Sequence, residues 1–158
     1  MEIEKIGEAI KAFLKKLKRG WDKWPQMYWA IDLHDVIISG TYTLNNEGKQ
    51  MFPNAASVLQ WLTNRKDMCT ILFTSGHFEP TFDIRRWLSK EYLIDFDFVN
   101  ENPECQDTKL CCFKDKFYFD IMLEDKAGFD GMSDWKKIKD CLIELGEWDK
   151  KISHNLPN

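Results

Sequence analysis

Met27-Tyr28-Trp29-Ala30-Ile31-Asp32-Leu33-His34-Asp35 is an apolar run that closes on a carboxylate. Two later stretches answer it: Thr70-Ile71-Leu72-Phe73-Thr74-Ser75-Gly76 and Phe119-Asp120-Ile121-Met122-Leu123-Glu124-Asp125. Each is a short apolar or β-branched run ending in groups that can coordinate or donate. Runs of this length and composition read as strands. In an open parallel sheet the carboxyl ends of the strands face one crevice, where ligands bind. Three strand ends are therefore expected to deliver a carboxylate, a hydroxyl and an acidic pair to one point.

Working outward, strands and helices alternate. The first strand is expected over 27–33, the second over 69–74, the third near 96–99 and the fourth near 118–123. A helix is expected over 54–65, with Ala55, Val58, Leu59 and Leu62 on one face. A second, opened by Pro80, is expected over 80–91, and a last one over 133–146. Strands separated by helical patterns imply right-handed βαβ units and a parallel sheet. Between the first strand and the first of these helices, residues 41–52 form an excursion. Its Asn45-Asn46-Glu47-Gly48 turn signal predicts two short strands acting as a flap. Upstream, Ile3, Ile6, Ile10, Phe13, Leu14 and Leu17 recur at steps of three and four. They predict an amphipathic helix over 3–19 that ends near Gly20 and Pro25. The expected layout is an N-terminal helical segment (1–24), one α/β domain (25–150) and a C-terminal tail (151–158).

The bulk numbers exclude several classes. With 158 residues, 44% hydrophobic and 14% aromatic, the chain can bury a core, and no apolar run reaches the roughly 18–20 residues of a membrane span. Five cysteines, two of them adjacent (Cys111-Cys112), argue against a disulfide framework and for a reducing, cytoplasmic setting. Their spacing does not fit a structural zinc site. A net charge of −4 does not suit a non-specific nucleic-acid binder. The charge is uneven: residues 1–24 hold seven Lys/Arg and four Asp/Glu, a net of +3, which leaves −7 for the rest. The basic helix could lie on a membrane surface, offer a face to a second copy or a protein partner, or pack on the domain. Trp21, Trp24 and Trp29 are expected to cluster where it meets the first strand.

These residues, over about 26–140, resemble the haloacid dehalogenase (HAD) superfamily, mostly Mg²⁺-dependent phosphohydrolases. An apolar strand ending in Asp is matched by Asp32, and an apolar strand ending in Thr or Ser by Thr74, with Ser75 as its neighbour. A basic residue ahead of the fourth strand is matched by Lys116, and a strand ending in an acidic pair by Glu124-Asp125. The resemblance implies a three-layer α/β sandwich with a Rossmann-like parallel sheet and no full cap domain. It also implies a Mg²⁺ cofactor and a small phosphorylated substrate. Asp32 would be the nucleophile. Asp32, the backbone carbonyl of His34, Asp125 and Glu124 would serve the metal, and Thr74 and Lys116 the phosphoryl oxygens.

The chain departs from the family pattern at three places. His34 stands where a second Asp normally serves as acid and base, with Asp35 where a Gly follows. Gly76 stands where close relatives often carry Arg, and Glu124 where Asp is commoner. Imidazole titrates near neutral pH, so His34 is the candidate acid/base. Loss of such a group typically costs roughly 10²–10⁴ in rate. The alternative is a catalytically impaired HAD-like protein that binds a ligand or a protein.

Overall fold

The computed structural model describes residues 3–19, 24, 26–40 and 49–149. Element order is α1 (Ile3–Arg19), β1 (Met27–Asp32), α2 (Ala55–Thr63), β2 (Met68–Phe73), α3 (Phe78–Tyr92), β3 (Phe98–Val99), β4 (Ile121–Leu123) and α4 (Asp134–Glu144). The strands form one parallel sheet in the order β3-β2-β1-β4. The fold is α/β with a Rossmann-like parallel sheet. The strand order reverses at β1: the chain steps outward to β2 and β3, then returns to pair β4 on the other side of β1.

Strand alternation sorts the core. Met27, Trp29 and Ile31, with their register partners Met68, Thr70 and Leu72, point to one face. There the apolar stripes of all four helices close over them: Ile6 and Ile10 of α1, Val58 and Leu62 of α2, Ile84 and Leu88 of α3, and Trp135 and Ile138 of α4. Tyr28, Cys69 and Ile71 point to the other face. That face is covered not by helices but by the irregular segment after β3, through Cys105, Phe117, Tyr118 and Phe119. The third layer is thus loop, rich in aromatic side chains.

Both edge strands are shorter than their sequence patterns suggest, for one reason. Asp97 accepts the Thr70 backbone N–H (2.7 Å) and hydroxyl (3.0 Å) with its carboxylate. Asp120 likewise accepts the Tyr28 N–H (2.9 Å). A side chain occupies the ladder position, so regular pairing begins only one residue later, at Phe98 and Ile121. Helix α3 starts before Pro80 because the first-turn N–H groups have no intrahelical partner, so a proline is tolerated there.

Helix α1 joins the domain core. Ile3, Ile6, Ile10 and Phe13 are buried, and α1 packs on α4. These four apolar side chains of the helix are thus turned inward on the domain. The expected tryptophan cluster does not form as one group: Trp29 lies under the helices, while Trp24 packs on Tyr118, ring centroids 4.5 Å apart and planes tilted by 44°, as part of the other layer. Trp21 lies outside the described residues. Most of the expected flap, 41–48, does too, as does the tail from 150 on. The return of the excursion is described: Met51 bridges Ile38 in antiparallel fashion, and the Phe52 N–H donates to the Ile37 carbonyl (3.0 Å). Among the described residues, no helix is long and apolar enough to cross a membrane.

Candidate functional site

Asp32 is the last residue of β1, and Glu124 and Asp125 immediately follow β4. The two strands are neighbours with Ile31 paired to Leu123, so they end at one level. One carboxylate oxygen from each of Asp32, Glu124 and Asp125 lies within 4.8 Å of the others. Each side chain is anchored locally. The Asp32 Oδ1 accepts the Leu33 N–H (2.7 Å). Glu124 caps a short 3₁₀ turn, Asp125–Ala127, by accepting the Ala127 N–H (2.9 Å).

Burial, hydrogen bonds and neighbouring charges shift two of these carboxyls in opposite directions. Burial raises the Asp32 pKa; the Leu33 N–H opposes this, the Glu124 and Asp125 charges add to it, and His34 pulls back. Slight burial pushes Asp125 upward as well, but its bonds with Lys126 and Glu124 outweigh that and hold its carboxyl below the usual range. The Lys126 Nζ lies 3.2 Å from Asp125 and 3.8 Å from Glu124. Lys126 was not anticipated from sequence; its only signal is adjacency to the acidic pair.

The segment after β1 turns tightly. The Ile37 and Ile38 N–H groups both donate to the Leu33 carbonyl, and the Asp35 N–H to that of Ile38. Asp35 has φ 59°, a left-handed conformation that favours glycine. Its carboxylate accepts the Gly40 N–H (2.8 Å), so it serves the turn. From α4, the buried Trp135 indole donates to the Val36 carbonyl (2.7 Å) and pins this turn against the core.

Thr74, just past β2, is buried. The Asn100 side chain holds it on both sides, accepting its N–H (2.8 Å) and donating to its carbonyl (2.7 Å). The Thr74 hydroxyl accepts the Gly76 N–H (3.0 Å). A Cβ placed on Gly76 would lie 3.2 Å from that hydroxyl, 3.1 Å from the Thr81 hydroxyl and 3.9 Å from His34 Cε1. Gly76 thus sits close to the Thr74 and Thr81 hydroxyls and to His34, where a side chain would be crowded. Ser75 is exposed. Asn100, which fixes Thr74, was also missed from sequence, because its role depends on β3 lying beside β2.

Lys116 is placed differently from the rest. It is exposed, with its Nζ 5.8 Å from the centre of the Phe119 ring. Among the described residues no ion pair joins it to the three carboxylates. Asp130 and Asp134 fold back on the start of α4, where Asp130 accepts from Met132 and Ser133, and Asp134 from Asp130 and Lys137. All five cysteines are free thiols.

No family model matches the chain, and no curated protein matches it either. Among solved structures, a conserved protein from Bacteroides thetaiotaomicron is similar, with a TM-score of 0.56 at 18% identity, over 80% of this chain and 99% of that one. Identity this low makes it a likeness of fold: a parallel α/β sheet flanked by helices.

Proposed function

We propose that this protein is a Mg²⁺-dependent phosphohydrolase of the HAD type, acting through an aspartyl-phosphate on Asp32. One observation carries the reading: the convergence of Asp32, Glu124 and Asp125 within 4.8 Å at the carboxyl ends of neighbouring parallel strands. Carboxylates this close repel, and the Glu124 and Asp125 charges add to the rise that burial gives the Asp32 pKa. An all-oxygen donor set suits a hard divalent cation, which typically uses one or two carboxylates and completes its shell with water and substrate. Asp32, Asp125, Glu124 and the His34 carbonyl would hold it. Bound there, Mg²⁺ supplies the positive charge that lets a carboxylate approach an anionic phosphate. Asp35 lends further support. Its left-handed backbone stands where the family has glycine.

The chain's own residues then divide the chemistry. With Oδ1 held by the Leu33 N–H, the other Asp32 oxygen attacks phosphorus. As the O–P bond forms, the ester P–O bond breaks, and the departing alkoxide takes a proton from the His34 imidazolium. Water then attacks the phosphorus and gives a proton to neutral His34, and the Asp32–phosphorus bond breaks to release phosphate. The Thr74 hydroxyl is available to donate to a phosphoryl oxygen. Lys116, exposed beside Phe119, would bring positive charge to the phosphoryl oxygens.

A second reading, a catalytically impaired binding module, is favoured by His34 in the acid/base position and by Lys126 partly neutralising the carboxylates. Hydrolysis of 4-nitrophenyl phosphate with and without Mg²⁺ separates the two, using wild type, Asp32→Asn and His34→Asp. Mg²⁺-dependent turnover lost in Asp32→Asn establishes the hydrolase. An inert wild type with turnover gained in His34→Asp establishes the binding module on a hydrolase scaffold. Activity that survives Asp32→Asn rejects the aspartyl-phosphate route.

A further inference from the structure

Beside Thr74 opens a cavity of 390 Å³, lined by Thr74, Gly76, Phe78, Phe82, Arg85 and Glu101 among others. Its size falls within the range of small-molecule sites. Two of its residues, Thr74 and Gly76, also border the phosphate end of the proposed active site, so the cavity continues that site.

Two exposed aromatic rings line the cavity. Phe78 and Phe82 lie one turn apart at the start of α3, with ring centroids 6.1 Å apart and planes only 20° from parallel. They are 81% and 48% exposed. A single exposed phenylalanine is ordinary. Here two adjacent, near-parallel rings line a cavity together with Arg85, the next turn of α3, and Glu101, just after β3. Flat apolar faces bordered by isolated polar groups suit a planar ring that stacks and carries its own polar substituents.

We infer that this cavity receives the leaving group of the substrate, and that the leaving group carries a planar aromatic ring stacked on Phe78 and Phe82. The substrate class is then a phosphate monoester of an aromatic-ring-bearing alcohol, whether a simple aryl-alkyl alcohol or a nucleoside. This rests on the phosphohydrolase reading of the adjoining carboxylates. Phosphate would be held near Thr74, and the ring would lie outward along α3.

The test compares benzyl phosphate with cyclohexylmethyl phosphate, rings of similar size with and without a π face, in the presence of Mg²⁺. Wild type should favour benzyl phosphate about tenfold in kcat/KM, the scale of an aromatic contact beyond its apolar area. The double variant Phe78→Leu/Phe82→Leu, apolar and at exposed positions, should abolish that preference through KM. Phe78→Leu alone, at the more exposed position, should reduce it and guards against misfolding of the double variant. Adenosine 5′-monophosphate then separates the sources: a further gain over benzyl phosphate identifies a nucleoside, and none identifies a simple aryl-alkyl alcohol. Equal turnover of the two rings in wild type, or a preference that survives the double variant, overturns the inference and leaves the hydrolase reading intact. If wild type hydrolyses neither, the hydrolase reading fails. Ligand-detected NMR titration of the same two compounds then decides the stacking. A tenfold affinity difference lost in the double variant supports it, and equal or absent binding overturns it.

Discussion

Asp32 shares its patch of solvent with two other carboxylates, and that crowding has a measurable sign. Substituting Asp32→Asn removes one negative charge and retains an acceptor for the Leu33 N–H. Without divalent cations the variant should match or exceed wild-type stability, by about 0.5–1 kcal/mol. Added Mg²⁺ should raise the wild-type Tm and have a smaller effect on the variant. A variant that loses stability without Mg²⁺, or gains as much from it as wild type, would contradict the proposed metal site. Asp134 behaves oppositely. Although burial alone would raise its pKa, bonds from Lys137 and the Asp130 N–H dominate and hold it below the ordinary value. A depressed carboxyl stabilises the fold above its unfolded pKa of about 3.9, and that contribution fades as pH falls through the folded value. Asp134→Asn should therefore cost about 2 kcal/mol at pH 7. The cost should begin to shrink below about pH 3.9 and fade as pH drops through the depressed folded value, read in urea titrations; a cost that does not fall in acid would show that the charge is irrelevant.

Among the elements, α1 packs closely on α4 at Gly7. A Cβ on Gly7 would run into the Sγ of Cys141. Alanine is favoured over glycine in a helix interior by about 1 kcal/mol, yet overpacking of this kind typically costs about 1–3 kcal/mol. Gly7→Ala should therefore lower stability, and Gly7→Ala/Cys141→Ala should recover most of the loss; a stabilising single variant would mean that the helices separate easily. Helix α4 also reaches the site through the Trp135–Val36 bond. Trp135→Phe keeps most of the packing but leaves the Val36 carbonyl unpaired. The expected cost is about 1–3 kcal/mol, together with a fall in turnover, because the turn that carries His34 is loosened. Unchanged turnover would show that the turn is held by its own backbone bonds.

On the scale of the whole molecule, the buried face of α1 is part of the common core. Ile3, Ile6, Ile10 and Phe13 are all buried on the rest of the chain. At about 1.5–3 kcal/mol for each large side chain, their removal approaches the 5–15 kcal/mol that domains typically have in total. Deletion of residues 1–19 should abolish cooperative unfolding or cause aggregation. A truncated chain of unchanged Tm would return α1 to the role of an independent partner-binding segment.

Local chemistry determined the strands, the helices and the parallel sheet. An apolar run such as Met27–Asp32 forms a strand, and a 3.6-residue apolar stripe a helix, wherever they are packed. It also marked Asp32, Glu124 and Asp125 as ends of such runs, and the structure brings those three together. What depended on neighbours remote in sequence was illegible. Only the pairing of β3 with β2 brings the Asn100 side chain to Thr74, and only the lie of α4 brings Trp135 to Val36. The replacement of a helical layer by the aromatic segment around Phe117–Phe119 followed from burial of Tyr28 and Ile71, not from any periodicity of its own. Lys126 joined the carboxylates and Lys116 lay over Phe119 because each long side chain settles on whatever charge or ring the folded backbone leaves within reach. Sequence spacing fixes backbone periodicity; the destination of a flexible charged side chain is fixed only by the three-dimensional field around it.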